Sequence, residues 1–348
     1  MRVRAVLLLT ASATTVALTG VSADAAPTPH WRASATPAPV RPGALNQIAI
    51  SDPKLAWAAG IEGGGTALWR WNGTKWLRTR AARPFTPIAL AVSDAKHAWA
   101  AGIDTRGSQA AFWNGRKWTK VGYFGIPVEI SAGRDGAAFS VSGDLFGGRT
   151  RLLGWSRNAW RTVRVPLPAA ATLASVAVRS RKDVWISGSY QAGKTTRSLL
   201  RHWNGKKWRN FAFPVAATRN GNVIHRIIAV SPKQVWALRG TSPSTLLKWN
   251  GKKWGARRLP GNTGSLTLTS DGRGGVWVLP YSPSSDTRTT YLHWSGGRWT
   301  RLSGPVRKGN PGLGDLELIP GTTRVVSVGG LQQTPQGRPK IPFLETYH

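Results

Sequence analysis

The chain of 348 residues contains no cysteine, a single methionine, five tyrosines and only 14 acidic residues. Without cysteine, disulfide staples, zinc–thiolate sites, iron–sulfur clusters and thiol nucleophiles are all excluded. So few carboxylates, thinly spread, leave little material for calcium cages or for the paired acids of a glycosidase. Beyond the N-terminal segment, no run is long and apolar enough to span a bilayer. What the chain does have is 48 Lys+Arg, a formal net charge of +34, a pI of about 11.8, 19 Trp, 40 Gly and 23 Pro. Its 41% apolar content lies only slightly below the ~45–50% of globular proteins, enough to build a core.

The N-terminus reads as a secretory signal over residues 1–25. Arg2 and Arg4 supply a short basic start, a mainly apolar stretch from Ala5 to Ala23 follows, and Ala23-Asp24-Ala25 fits a small-x-small cleavage site. Thr10, Ser12, Thr14, Thr15, Thr19 and Ser22 dilute that stretch and argue against an anchor. The two arginines are not adjacent, and no cysteine is present to take a lipid. The expectation is a secreted, extracellular or wall-associated protein that begins near Ala26, with residues 26–348 forming one domain.

Internal repetition dominates the rest. Trp71-Asn72-Gly73-Thr74-Lys75-Trp76 recurs at Trp113–Trp118, Trp203–Trp208 and Trp249–Trp254, with looser copies at Trp155–Trp160 and Trp294–Trp299. The second tryptophans step by 42, 42, 48, 46 and 45 residues. A period in the forties with a hallmark Trp is the signature of propeller blades. Each hexapeptide is preceded by an Ala-Trp or Val-Trp pair (Trp57, Trp99, Trp185, Trp236, Trp277), with Ala138-Phe139 and Val325-Val326 in the same slot. Ahead of each pair lies an alternating run such as Ile88-Ala89-Leu90-Ala91-Val92. Period-two alternation with Gly/Pro/Asn punctuation makes these strands. Each unit therefore supplies four, the last two joined by an Asn-Gly hairpin, for which a type I′ turn is expected. The tryptophans read first as packing residues between neighbouring sheets.

A seventh unit begins at Leu313 and stops one strand short. The missing strand is expected at the other end of the chain: His30-Trp31-Arg32 matches Lys207-Trp208-Arg209, and Trp31 lies 45 residues before Trp76, in register with the period. The predicted fold is all-β: a seven-bladed β-propeller of four-stranded antiparallel blades, the ring closed by the mature N-terminal strand, which removes both sheet edges. Units of the form Val-Trp-Ala-x-Gly … Trp-Asn-Gly-x-x-Trp resemble the repeats of secreted actinobacterial Trp-rich propellers, loosely WD40/YVTN/BNR-like or kelch-like. The resemblance covers the chain beyond the signal and implies architecture; function must come from sites.

Little catalytic chemistry stands out. The histidines His30, His97, His202, His225, His293 and His348 show no metal-ligand spacing, and no metal or cofactor is expected. Asp52, Asp94, Asp183 and Asp271 fall near first–second turns, where Asp caps backbone donors. Glu62, Glu129, Asp144 and Glu345 are the acids that break the repeat.

Charge placement is the outstanding feature. In an up-and-down meander the first–second and third–fourth turns share one face. The third–fourth turns carry Lys75, Arg116, Lys117, Lys206, Lys207, Lys252, Lys253 and Arg298 as the candidate ligand-binding ring, with Arg157 in the looser third copy. Lys54, Lys96, Arg134, Arg181, Lys182, Lys233 and Arg273 lie on the first–second turns. Such a surface attracts polyanions at long range with strong salt dependence. The expected function is a non-enzymatic binding protein contacting anionic polymers or glycans at the cell envelope, with non-specific nucleic-acid binding as a lesser outcome and a monomeric state. Alternatives are a protein-interaction scaffold with a protein partner, or a hydrolase or lyase with a site at the central channel.

Overall fold

Among the described residues, twenty-eight strands, gathered in seven sheets of four, make up nearly all of the regular structure. The computed structural model describes residues 29–144, 148–211, 223–240, 243–281, 286–332 and 341–348; the expected signal segment lies outside them. Blade 1 spans 43–79, blade 2 86–121, blade 3 126–163, blade 4 171–210, blade 5 224–258 and blade 6 265–303. In each of these the strands pair antiparallel in chain order, first to fourth. Blade 7 takes three strands from 310–347 and its fourth from Trp31–Ala33, which pairs with Ile341–Tyr347. The first strands touch one another in cyclic order, blade 7 meeting blade 1. The molecule is a seven-bladed β-propeller closed by its N-terminal strand, as the repeat register requires.

Closure places Trp31 opposite Tyr347, as Trp76 lies opposite Trp71 in blade 1. Trp31 is buried, stacked on Tyr291 at 3.7 Å and edge-on to Trp277 at 5.5 Å. Elsewhere the second-strand tryptophan of one blade packs on the hairpin tryptophans of the next. Trp57 meets Trp113 and Trp118 at 4.9 and 4.8 Å, and Trp185 meets Trp254 at 6.0 Å. Trp57, Trp99, Trp185, Trp236 and Trp277 are all at most 2% exposed. Inter-blade packing is therefore their role.

These second-strand tryptophans also carry a stacked neighbour from the third strand. His202 lies on Trp185 at 4.1 Å, His293 on Trp277 at 4.2 Å, and the Lys248 ammonium over Trp236 at 4.6 Å. His202 and His293 further bond Asp183 and Asp271. Burial pushes both of these carboxyls up, but the histidine bonds and further donors outweigh it and hold them below the usual range. The two repeat-equivalent histidines are packing residues.

The hairpins differ from expectation. The Asn-Gly loops are four residues long, with Trp71 paired to Trp76, and only the glycine has positive φ (98° at Gly73, 86° at Gly205). The asparagine side chain closes the loop instead: Asn204 Oδ1 accepts from the amides of Lys206 (3.1 Å) and Lys207 (2.9 Å), and Asn72, Asn114 and Asn250 repeat the arrangement. Two-residue turns with both central φ positive occur in the looser copies, at Arg157-Asn158 and Gly296-Gly297. An Asx-type side-chain bond competes with the primed turn, and here it wins.

Candidate functional site

The two sets of turns do share one face, and they interlock. Indole Nε1 of Trp71, Trp113 and Trp249 donates to the carbonyls of Pro53, Ala95 and Pro232 in the first–second turn of the same blade, at 3.0–3.2 Å. The loop glycine packs on the lysine of that turn so closely that a Cβ on Gly205 would stand 2.9 Å from Cβ of Lys182. Those lysines are themselves fixed at the backbone. Asp52 and Asp94 accept from the amides of Lys54 (2.7 Å) and Lys96 (2.8 Å), and Asp271 accepts from Arg273 (2.8 Å). Asp183 caps no such turn; it pairs with Arg179 and His202.

All eight candidate cations, Lys75, Arg116, Lys117, Lys206, Lys207, Lys252, Lys253 and Arg298, are exposed on these turns. They lie in blades 1, 2, 4, 5 and 6, with exposed Arg157 in blade 3. Among the described residues none of the eight forms an ion pair. Blade 7 interrupts the ring because its third–fourth connection is replaced by the two chain ends. The arrangement is a rigid, broken ring of cations and not a converged pocket.

At the centre of this face a funnel of about 1130 Å³ opens, lined by all seven blades, with Arg134, Arg179, Arg273 and Arg324 at its wall and Glu317 within. Deeper lies a narrower cavity of about 220 Å³. The strands around it follow a rule the sequence concealed. Every first strand carries a bulge near its start, and the residues just after it are Gln47, Ala89, Glu129, Ser175, Arg226, Thr267 and Asp315, one per blade. An inner strand exposes an unpaired edge towards the channel, and side chains of this ring satisfy it. Glu129 Oε2 accepts from the Val176 amide (2.8 Å), Ser175 Oγ from Ile227 (3.0 Å), and Asp315 Oδ2 from Ile48 (3.3 Å). Each bond joins one blade to the next.

Arg226 spans the bore, paired with Glu129 on one side and lying 3.8 Å from Asp315 on the other. Burial pushes the Glu129 and Asp315 carboxyls up, and the guanidinium draws them back. Burial likewise raises Glu317, to about 8, with the Asp315 charge adding to the effect. Three acids and one arginine thus meet at the axis. In the sequence Glu129 stands out as a non-repeat acid; Arg226, Asp315 and Glu317 carry only the weaker signal of a charge inside an otherwise apolar alternating strand. Of the other non-repeat acids, Glu62 is held by Arg78 and Trp69, Glu345 by Arg307, Thr289 and Tyr291, and Asp144 is exposed.

Fold and site define the class as a seven-bladed propeller with a basic turn face. No protein-family model matches the chain, and no curated protein matches it. Solved structures do. YCF48 bound to D1 peptide aligns with TM-score 0.57 at 13% identity, over 91% of this chain and 94% of that one. A catalytically inactive virginiamycin B lyase from Staphylococcus aureus with quinupristin gives 0.63 at 10%, over 92% and 100%. U3-55K gives 0.61 at 13%, over 91% and 98%. At these identities the likeness is one of fold.

Proposed function

We propose that this propeller is a secreted, non-enzymatic binding module that engages anionic polymers or glycans at the cell envelope with its basic turn face. The observation that carries the reading is the set of eight exposed cations, free of acidic partners among the described residues, on interlocked turns of one face. Pre-set turns lower the ordering cost of each contact, and the +34 net charge draws polyanions in from beyond contact range. Export is supported by Arg2, Arg4 and the Ala23-Asp24-Ala25 site; N-terminal sequencing of protein recovered outside the cell is expected to start near Ala26.

The test is binding to anionic wall polymer, neutral glycan and DNA, each at low and moderate salt. Anionic polymer is expected to bind at low salt and to weaken steeply as salt rises, by counterion release. Reversing Lys206, Lys207, Lys252 and Lys253 to Glu should flatten the salt dependence by roughly 0.9 log units per lysine and leave the unfolding midpoint unchanged. Equal retention of variant and parent on an anionic column would overturn the assignment of this face.

A further inference from the structure

Two blades lack the second-strand tryptophan: blade 3 keeps an aromatic, Phe139, and blade 7 has none. Val326 occupies in blade 7 the register position that Trp57 holds in blade 1, each lying two residues before the partner of the bulge-ring residue. Its third-strand partner is Thr346, where Trp185 and Trp277 have His202 and His293. A valine–threonine pair therefore faces the hairpin tryptophans of the next blade, Trp71 and Trp76, in place of an indole with a stacked partner. The volume left open is a cleft of about 550 Å³ between blades 7 and 1, within the ~300–1,000 Å³ range of ligand pockets. Val326, Leu344, Ile50 and Trp76 supply apolar walls. Exposed Arg32, Lys75 and Arg324 also line it, outnumbering the one lining acid, Asp52, whose carboxylate accepts from the Lys54 amide.

We propose that this cleft is a discrete binding pocket for a small anion with an apolar ring, seated where the missing tryptophan would lie, its ring against Trp76 and Val326 and its anionic group among Arg32, Lys75 and Arg324. The assignment is distinct from the polymer-binding reading, since it rests on a packing vacancy at one blade junction and shares only Lys75 with the cation ring. Apolar walls select the ring, and the three cations select the charge.

The probes are anilinonaphthalene sulfonate and its uncharged counterpart N-phenyl-1-naphthylamine, titrated by fluorescence against the full chain. One sulfonate site is expected, with the neutral probe weaker. Val326→Trp, which restores the repeat residue, should weaken the sulfonate by about tenfold or more by filling the pocket. Arg324→Glu, on an exposed turn, should weaken the sulfonate by about threefold to tenfold and leave the neutral probe unchanged; this arm stands even if Val326→Trp does not fold. No saturable sulfonate binding, unchanged binding in folded Val326→Trp, or equal loss of both probes in Arg324→Glu would each overturn the proposal.

Discussion

Glu317 shows how far a single environment can move a side chain. By surface area it is only half-buried, yet what it faces is a channel walled by protein, and burial there dominates. Its carboxyl is raised from 4.5 to about 8, by burial first and then by Asp315, with Arg226 opposing. The folded state therefore keeps a proton that the unfolded chain releases. The stabilising contribution is full below about pH 4.5 and is lost as pH rises through about 8. Glu317→Gln, which mimics the protonated form, is expected to match the parent in urea midpoint near pH 4.5 and to exceed it increasingly towards pH 9. A constant offset across that range would refute the assignment. Beyond a charge inside an apolar alternating strand, little of this was readable from sequence: the bulge ring beside Glu317 holds Gln, Ala, Glu, Ser, Arg, Thr and Asp at equivalent positions. Equivalence lies in register and not in residue type, so composition along the chain hides it.

At the level of elements, strands and their order were legible because Trp spacing and alternation each repeat with every blade. Turn geometry was not, because an Asn-Gly pair is compatible with two closures and the choice depends on a side-chain bond. Two variants separate the closures. Gly205→Ala places a Cβ at positive φ and 2.9 Å from Lys182, and should lower stability by about 1–2 kcal/mol in urea unfolding. In blade 3, Arg157 and Asn158 both carry positive φ (49° and 58°), so Arg157→Asn with Asn158→Gly installs the preferred type I′ pair and should raise stability by about 1 kcal/mol. A gain from the first or a loss from the second would contradict the geometry. Basic residues of the turns were also legible, since exposure follows once turn and face are known.

The whole molecule depends on a contact between its two ends. Trp31 is buried against Tyr291 and Trp277, and its short strand completes blade 7. Trp31→Ala should cost about 3–5 kcal/mol, read as a large fall in thermal midpoint, and deletion of residues 27–40 should fall at least as far. A variant lacking that strand but melting with the parent would mean the ring holds without its stitch. The sequence located this closure, because Trp31 keeps the spacing of the hairpin tryptophans and His30-Trp31-Arg32 matches Lys207-Trp208-Arg209.

That stitch also sets an order of events in time. Ser34 bonds Thr346 across 312 positions, whereas blades 1 to 6 each build their sheet from one short stretch of chain. Local sheets form early and distant pairings late. As the polypeptide emerges, the Trp31–Ala33 strand must wait, unpartnered, until Ile341–Tyr347 have been made. A chain released before Ile341 would leave the Val325–Gln332 strand with an open edge and Trp31–Ala33 without its partner, each a template for pairing with other chains. Ring closure is thus a built-in check that synthesis has passed Tyr347.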